Sequence, residues 1–140
     1  MTAEHRRLRI QAGQQAIGTI ADWAESSALV LGLDPNAAMM ARLCIEEAVT
    51  NIVLHAYDDD PAGHAIQIES STQNGRLYFA LFDDGRPFDP LSFPDAPEEV
   101  ELEDVMDAEL SGRGIRLMRT FSKKISYKRE DGINLLIFTF

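Results

Sequence analysis

The sequence predicts an α+β fold in which a mixed, mostly antiparallel sheet is covered on one face by about three helices. The spacing of apolar residues changes along the chain between about two residues, which indicates strands, and about 3.6 residues, which indicates helices. The dipeptides Asn74-Gly75 and Asp131-Gly132 are typical of the two-residue turns that join antiparallel strands. Hairpins and helices in this order favour a sheet with helices packed against it.

The first half of the chain predicts one strand and two helices. Residues 5–10 place Leu8 and Ile10 on one side with arginines around them, which suits an edge strand. Residues 14–31 place apolar side chains at helical spacing. Asp34 and Pro35 are typical of a helix start, with Asp34 as the N-cap and Pro35 in the first turn. This second helix is expected to end near the polar, proline-containing turn of residues 58–63.

The second half predicts two hairpins, separated by a long connection and one helix. Strands at 65–72 and 76–83 form the first hairpin, and strands at 124–128 and 133–140 form the second. The helix begins near Gly114. The connection before it has several prolines and a series of carboxylates, and a long irregular connection in a compact domain is usually either a functional lid or disorder.

Length and composition restrict the function. A chain of 140 residues with 45% hydrophobic and 26% charged residues predicts one globular domain over residues 1–140. Its formal net charge of -10 disfavours direct binding to nucleic acid or to an anionic membrane surface. No apolar run is long enough to cross a bilayer. We therefore predict a cytoplasmic protein that binds neither nucleic acid nor membrane.

The second helix carries two polar side chains in apolar surroundings. Glu47 and Asn51 lie one turn apart, opposite the apolar stripe that contains Ile45 and Val49. A desolvated carboxylate must be paired, hydrogen-bonded or bound to a metal, and asparagine is a poor residue inside a helix. Both side chains should therefore face a partly enclosed space. Spacing alone leaves two interpretations open, a ligand site and a polar patch under a loop.

Two further motifs carry candidate ligand groups. Asp83 ends an apolar strand, where its carboxylate can accept a hydrogen bond from an amino group, and Gly85 lets a flat ring approach the backbone. Gly112 and Gly114 stand at a helix start, where backbone N–H groups and the helix dipole favour an anion. Each motif alone has a simpler explanation: a turn for the first, and a flexible helix entry capped by Ser111 for the second.

Taken in order, these motifs resemble those of the GHKL ATPase superfamily with its Bergerat nucleotide fold, and within it the anti-sigma factor group of serine-protein kinases. Residues 46–51, followed by His55-Ala56-Tyr57, are similar to the N box of that group. Residues 83–89 are similar to its Asp-x-Gly-x-x-Phe-Asp box, and residues 112–118 to its glycine box. The likeness covers nearly the whole chain and implies a single histidine-kinase-like ATPase domain, built as a two-layer α/β sandwich.

The resemblance implies a role for each motif residue. Glu47 would orient or deprotonate an attacking hydroxyl group, and Asn51 would hold Mg²⁺ at the phosphates of ATP or ADP. Asp83 would accept a hydrogen bond from the adenine amino group, and Gly85 would let the ring approach. Residues 86–111 would form the ATP lid. The phosphates would be held at the start of the third helix, by Ser111, Gly112, Arg113 and Gly114.

The resemblance further implies a Mg-ATP-dependent anti-sigma factor. Such a protein phosphorylates a serine of a STAS-type anti-sigma factor antagonist, sequesters a sigma factor, and switches between these partners in transcription regulation. It also suggests a homodimer. Leu110 stands where members that phosphorylate their antagonist often carry an arginine. A second interpretation therefore stays open, a nucleotide-gated binding module that holds a sigma factor or antagonist with negligible kinase turnover.

Overall fold

The helices and strands form two layers. The computed structural model describes residues 5–57, 60–92 and 113–140. The elements, in chain order, are β1 (His5–Gln11), α1 (Gln14–Val30), α2 (Pro35–His55), β2 (Ala65–Gln73), β3 (Arg76–Asp83), a 3₁₀ turn (Pro90–Ser92), α3 (Arg113–Phe121), β4 (Lys124–Glu130) and β5 (Ile133–Thr139). The α+β prediction is confirmed. Within the described ranges, no helix is both long enough and apolar enough to cross a membrane.

The five strands form one sheet in the order β1-β2-β3-β5-β4. Every neighbouring pair is antiparallel, whereas a mixed, mostly antiparallel sheet was predicted from the sequence. The difference arises because β5 pairs with β3 in the antiparallel sense, so the second hairpin continues the pattern of the first. Both predicted turns are formed. Their central residues have positive φ angles, as a type I′ turn requires: Asn74, Gly75, Asp131 and Gly132.

One face of the sheet is covered by the helices. Side chains that alternate along β2, β3 and β5 point to this face and are buried. They are Ile66, Ile68, Leu77, Phe79, Leu81, Leu136 and Phe138. The helices bring small residues into the same core, namely Ala16, Ala24, Ala28, Ala38, Ala41 and Ala48. Large side chains of the sheet therefore fill the core, while small ones let the helices lie close together.

Helix α2 begins where the sequence predicts. Asp34 Oδ1 accepts a hydrogen bond from the backbone N–H of Ala37 at 2.8 Å, and Pro35 is in the first turn. This cap satisfies one of the N–H groups that a helix start leaves unpaired. The helix ends at His55, and residues 58 and 59 of the predicted turn lie outside the described residues. It therefore carries the Glu47 and Asn51 region in its last turns, above the end of β3.

Candidate functional site

Asn51 and Asp83 line one cavity between α2 and the sheet. Each residue is only 5% exposed, and the cavity that they share is small. Its remaining wall is mainly apolar and is formed by Ala48, Ile52, Phe88, Pro90, Tyr127, Asn134 and Leu136. An apolar cavity with a few convergent polar groups is the usual form of a small-molecule site. The lining of this one combines apolar walls with polar groups from Asn51 and Asp83.

The Asp83 carboxylate is held by two hydrogen bonds. Asp83 follows Leu81 on the inner face of β3 because alternate residues of a strand share a face. Its Oδ1 accepts from the backbone N–H of Gly85 at 3.0 Å and from Asn134 Nδ2 at 2.9 Å. Burial raises the pKa of the Asp83 carboxyl above its ordinary value, and these two bonds partly offset that effect. Both bonds end on one oxygen, which leaves Oδ2 as an acceptor for a ligand.

Glu47 stands against the start of α3. It is half-buried and lies one turn before Asn51, so both side chains leave α2 on the same side. A Cβ atom on Gly114 would overlap the Glu47 carboxylate. Glycine at this position is therefore what allows the carboxylate to approach the helix start. The structure thus brings the N box and the glycine box into contact.

Gly85 is required by the packing of the chain against α2. A Cβ atom there would overlap the backbone carbonyl of Ala56. The N–H of Arg86 donates to the same carbonyl at 2.8 Å, and its Nε donates to the carbonyl of His55 at 2.6 Å. The His55 ring also stacks on Phe88, with centroids 5.3 Å apart. The chain after β3 is thus fixed to the C-terminal end of α2, while the approach of a ligand ring to Gly85 stays a prediction.

Alanine at these two glycines is expected to have different effects on stability. Gly85→Ala forces a Cβ against the backbone of Ala56, and such overpacking typically costs about 1–3 kcal/mol, so the melting temperature should fall by several degrees. Gly114→Ala meets only the far end of the Glu47 side chain, which can rotate away, and alanine favours the helix. Its melting temperature should stay equal or rise. Thermal unfolding of both variants checks this, and an equal loss in both would contradict it.

The remaining predicted residues lie at or beyond the limits of the described chain. Arg113 is the first residue of α3. Ser111 and Gly112, which complete the predicted phosphate site, are outside the described residues, and so are residues 93–111 of the predicted lid. Residues 86–92, the part of that segment that is described, lie beside the cavity through Phe88 and Pro90.

Asn134 is a residue of the cavity that was not predicted from the sequence. This residue is 3% exposed, lines the same cavity and binds Asp83. A signal was present, since Asn134 is in phase with the core residues Leu136 and Phe138 on β5 and is therefore a polar residue at an apolar position of the strand. Such a residue needs a buried partner. The pattern could have indicated that Asn134 has a buried polar partner, but not that this partner is Asp83.

The described residues fit a magnesium ion that enters with a nucleotide. Within residues 5–57, 60–92 and 113–140, no three His, Cys, Asp or Glu side chains lie close enough together to hold a metal ion by themselves. Mg²⁺ does not need such a cluster, because it keeps several waters and takes oxygen ligands from substrate phosphates and one or two protein groups. The side-chain oxygen of Asn51, at the cavity, is a ligand of this kind.

In the part of the chain that the structure describes, three helices on an antiparallel sheet, with a polar-edged cavity between helix and sheet, form the arrangement of a GHKL-like ATPase domain. A family model described as a histidine kinase-like ATPase domain matches residues 10–140. The chain belongs to this family, which confirms the resemblance seen in the motifs.

Named relatives are serine-protein kinases and anti-sigma factors. Serine/threonine-protein kinase BtrW of Bordetella bronchiseptica is 34% identical over 84% of this chain and 80% of its own length. Serine-protein kinase RsbW of Halalkalibacterium halodurans is 26% identical over 71% of this chain and 60% of its own. An anti-sigma F factor of Shouchella clausii is 25% identical over 80% of this chain and 75% of its own.

Solved structures show the same fold. The RsbU and RsbW domains of Rv1364c from Mycobacterium tuberculosis match with a TM-score of 0.64 and 15% identity, over 96% of this chain and 32% of that one. The histidine kinase domain of a blue-light-activated kinase from Erythrobacter litoralis matches with a TM-score of 0.55 and 21% identity, over 90% of this chain and 59% of that one. At these identities the likeness concerns the fold alone.

Proposed function

We propose that this protein is a Mg-ATP-dependent serine-protein kinase that also acts as an anti-sigma factor. One observation carries the proposal. Glu47 lies against the start of α3, and Asn51, one turn further along α2, lines the cavity that also contains Asp83. The proposed catalytic carboxylate is therefore one helical turn from the proposed magnesium ligand, which shares a cavity with the proposed base-recognising carboxylate. Relatives named as serine-protein kinases and anti-sigma factors support the same role.

In this proposal, the two ends of the site bind different parts of ATP. The base enters the cavity, where Asp83 accepts a hydrogen bond from the adenine amino group and Gly85 borders the ring. Guanine has an acceptor in place of that amino group, so ATP is preferred over GTP. Asn51 holds the magnesium ion, which neutralises charge on the phosphates. The phosphates lie at the N-terminal end of α3, whose dipole favours anions, with ligands from Ser111, Gly112, Arg113 and Gly114.

Glu47 is the proposed general base. Its carboxylate accepts the proton of the substrate serine as the serine oxygen bonds to the γ-phosphorus of ATP. The bond from that phosphorus to the oxygen of the β-phosphate breaks, and the products are phosphoserine and ADP. Most of the rate enhancement comes from positioning and charge stabilisation, as in other phosphoryl transfers. The place of Glu47 beside Gly114, next to the proposed phosphate site, supports this role.

The proposed partners are a STAS-type anti-sigma factor antagonist and a sigma factor, without direct contact to nucleic acid or membrane. The formal net charge of -10 suits partner surfaces that are basic. Exchange between these partners would take place in the cytoplasm. A homodimer is part of the proposal, because β1 is an edge strand of the sheet and an exposed edge can pair with a second copy.

A nucleotide-gated binding module is the second candidate function. Leu110, in place of the arginine that kinases of this group often carry, is the observation that favours it. In that case ATP shapes a surface that holds the sigma factor or the antagonist, and Glu47 has no catalytic task. The two functions differ in one measurable step, the transfer of phosphate to protein.

The deciding experiment is incubation of the purified protein with labelled Mg-ATP and the small STAS-type proteins of its own organism. Transfer of label to a serine of one of them, located by mass spectrometry, is the expected result and identifies the partner. Tight ATP binding without transfer to any of them would favour the binding module. Absence of ATP binding would overturn both functions.

Asn51→Ala is expected to weaken binding of Mg-ATP about tenfold, a typical loss for one polar contact to a charged group. Binding of ATP in the presence of EDTA should change little, since the lost contact is to the metal. Calorimetry with and without magnesium measures both. Asn36→Ala, an exposed asparagine on the same helix, is the control. An equal loss of ATP affinity with and without magnesium would show that Asn51 maintains the shape of the cavity and does not bind the metal.

A further inference from the structure

Asn134 makes every hydrogen bond that its side-chain amide can make. Nδ2 donates to Asp83 Oδ1 at 2.9 Å and to the carbonyl oxygen of Arg86 at 2.8 Å. Oδ1 accepts from the hydroxyl of Tyr127 and from Nη1 of Arg129 at 2.9 Å. A primary amide has two N–H donors and two acceptor positions. All four are used, in a side chain that is almost completely buried.

These partners also determine which way the amide faces. An arginine side chain only donates and a peptide carbonyl only accepts. Exchange of the amide nitrogen and oxygen would therefore place donor against donor at Arg129 and acceptor against acceptor at Arg86. Asn134 consequently directs its N–H groups to Asp83 and to the chain that follows β3, and no other orientation satisfies its surroundings.

The same network holds Asp83 and the turn after it as one unit. Asp83 Oδ1 is bound by Asn134 Nδ2 and by the N–H of Gly85, so rotation of the carboxylate would break two hydrogen bonds. Arg129 Nη1 additionally donates to the carbonyl oxygen of Gly85 at 3.0 Å. The turn is thus tied to β4 and β5 as well as to α2. Oδ2, the carboxylate oxygen outside these bonds, is held in one position.

We propose that Asn134 is a positioning residue that sets the base preference of this site, acting through Asp83 to select purines that carry an amino group at the 6-position. The proposal rests on the nucleotide-binding function proposed above and adds the residue that sets its specificity. Without Asn134, the Asp83 carboxylate retains only the Gly85 N–H and can turn away from the amino group. The carbonyl oxygen of Arg86 also loses its donor, which loosens the turn. Phosphate and magnesium contacts are elsewhere and should remain.

The test compares Asn134→Thr with Asn134→Val. These side chains have nearly the same shape and both suit a strand, but only threonine retains a donor for Asp83. The probes are ATP and purine riboside triphosphate, which lacks the 6-amino group and is otherwise identical. Calorimetry gives the ratio of their affinities for each protein. Thermal unfolding shows whether each variant is folded at the temperature of the measurement.

Wild-type protein is expected to prefer ATP, and Asn134→Val to reduce that preference roughly tenfold through ATP alone, the effect of losing one hydrogen bond to a charged group. Asn134→Thr should retain an intermediate preference. Equal ratios for the two variants, or equal weakening of both nucleotides, would overturn the positioning role and leave the nucleotide site intact. If the valine variant does not fold, the threonine variant alone decides: an unchanged ratio of the affinities for ATP and purine riboside triphosphate in Asn134→Thr would overturn the positioning role. A wild-type protein that binds neither probe removes the proposed function and this inference together.

Discussion

Glu47→Ala is expected to slow phosphoryl transfer to the antagonist serine by about 10²–10⁴-fold, the usual contribution of a positioned general base. Binding of Mg-ATP should be unchanged or tighter, since in the proposed mechanism the lost carboxylate acts on the serine hydroxyl and carries a negative charge near the phosphates. A loss in rate without a loss in affinity is the signature of an interaction made only in the transition state. Single-turnover transfer and calorimetry measure the two quantities separately.

Glu46→Ala is the matched control for this prediction. Glu46 precedes Glu47 on α2 and carries the same charge, but it leaves the helix in a different direction, so its loss should change transfer very little. Gly114→Ala also displaces the Glu47 carboxylate and should lower the transfer rate without lowering the melting temperature, although Gly114 is itself a proposed phosphate ligand. Transfer by Glu47→Ala at the wild-type rate would remove Glu47 from its role.

The fold could be predicted from the sequence because most of its signals are local. Asn74-Gly75 and Asp131-Gly132 determine their turns by their own backbone preferences, and Asp34 caps α2 through an N–H three residues away. The antiparallel alignment of β5 with β3 could not be predicted in this way. It depends on pairs such as Leu81 and Leu136, which are distant along the chain and whose alternating patterns fit a parallel neighbour equally well.

Asn51 and Asp83, which line the candidate cavity, stand out in the sequence, but their contacts do not. Apolar neighbours around Glu47 and Asn51 indicated an enclosed space, but nothing along α2 shows that Gly114 faces the carboxylate. The bond from Asn134 to Asp83 joins residues 51 positions apart. Such contacts follow from tertiary packing. A polar residue at an apolar position indicates that a buried partner exists, but it does not indicate which residue that partner is.

Asp83→Asn is expected to reverse the base preference of the site. The Gly85 N–H and Asn134 Nδ2 both donate to Oδ1, so the new amide must place its oxygen there and its NH₂ group where Oδ2 was. A donor then faces the adenine amino group, and ATP affinity should fall about 100-fold or more. Inosine triphosphate, with an acceptor at that position, should bind better than ATP. Calorimetry with both nucleotides checks this, and an unchanged preference for ATP would contradict the role of Asp83.

The same carboxyl group predicts opposite effects of pH on ligand binding and on stability. Burial raises the pKa of Asp83 in the folded protein, so the folded state binds the proton more tightly than the unfolded state does. By linkage, its contribution lowers the free energy of unfolding as pH rises through the interval between the ordinary and the raised pKa, and this penalty disappears as pH falls. ATP binding needs the ionised acceptor and should weaken as pH falls through the raised pKa.

Purine riboside triphosphate separates this effect from titration of the phosphates. It carries the same phosphates as ATP but does not use the Asp83 acceptor. As pH falls, the affinity for ATP should therefore decrease relative to the affinity for purine riboside triphosphate. The latter affinity should change only through titration of the phosphates. Asp83→Asn should be as stable as the wild type or more stable at neutral pH, because it buries no charge, and its unfolding should lose this part of the pH dependence. Lower stability of Asp83→Asn at neutral pH would show that the buried charge stabilises the fold. The predicted opposite effects of pH on stability and on ATP binding would then be wrong.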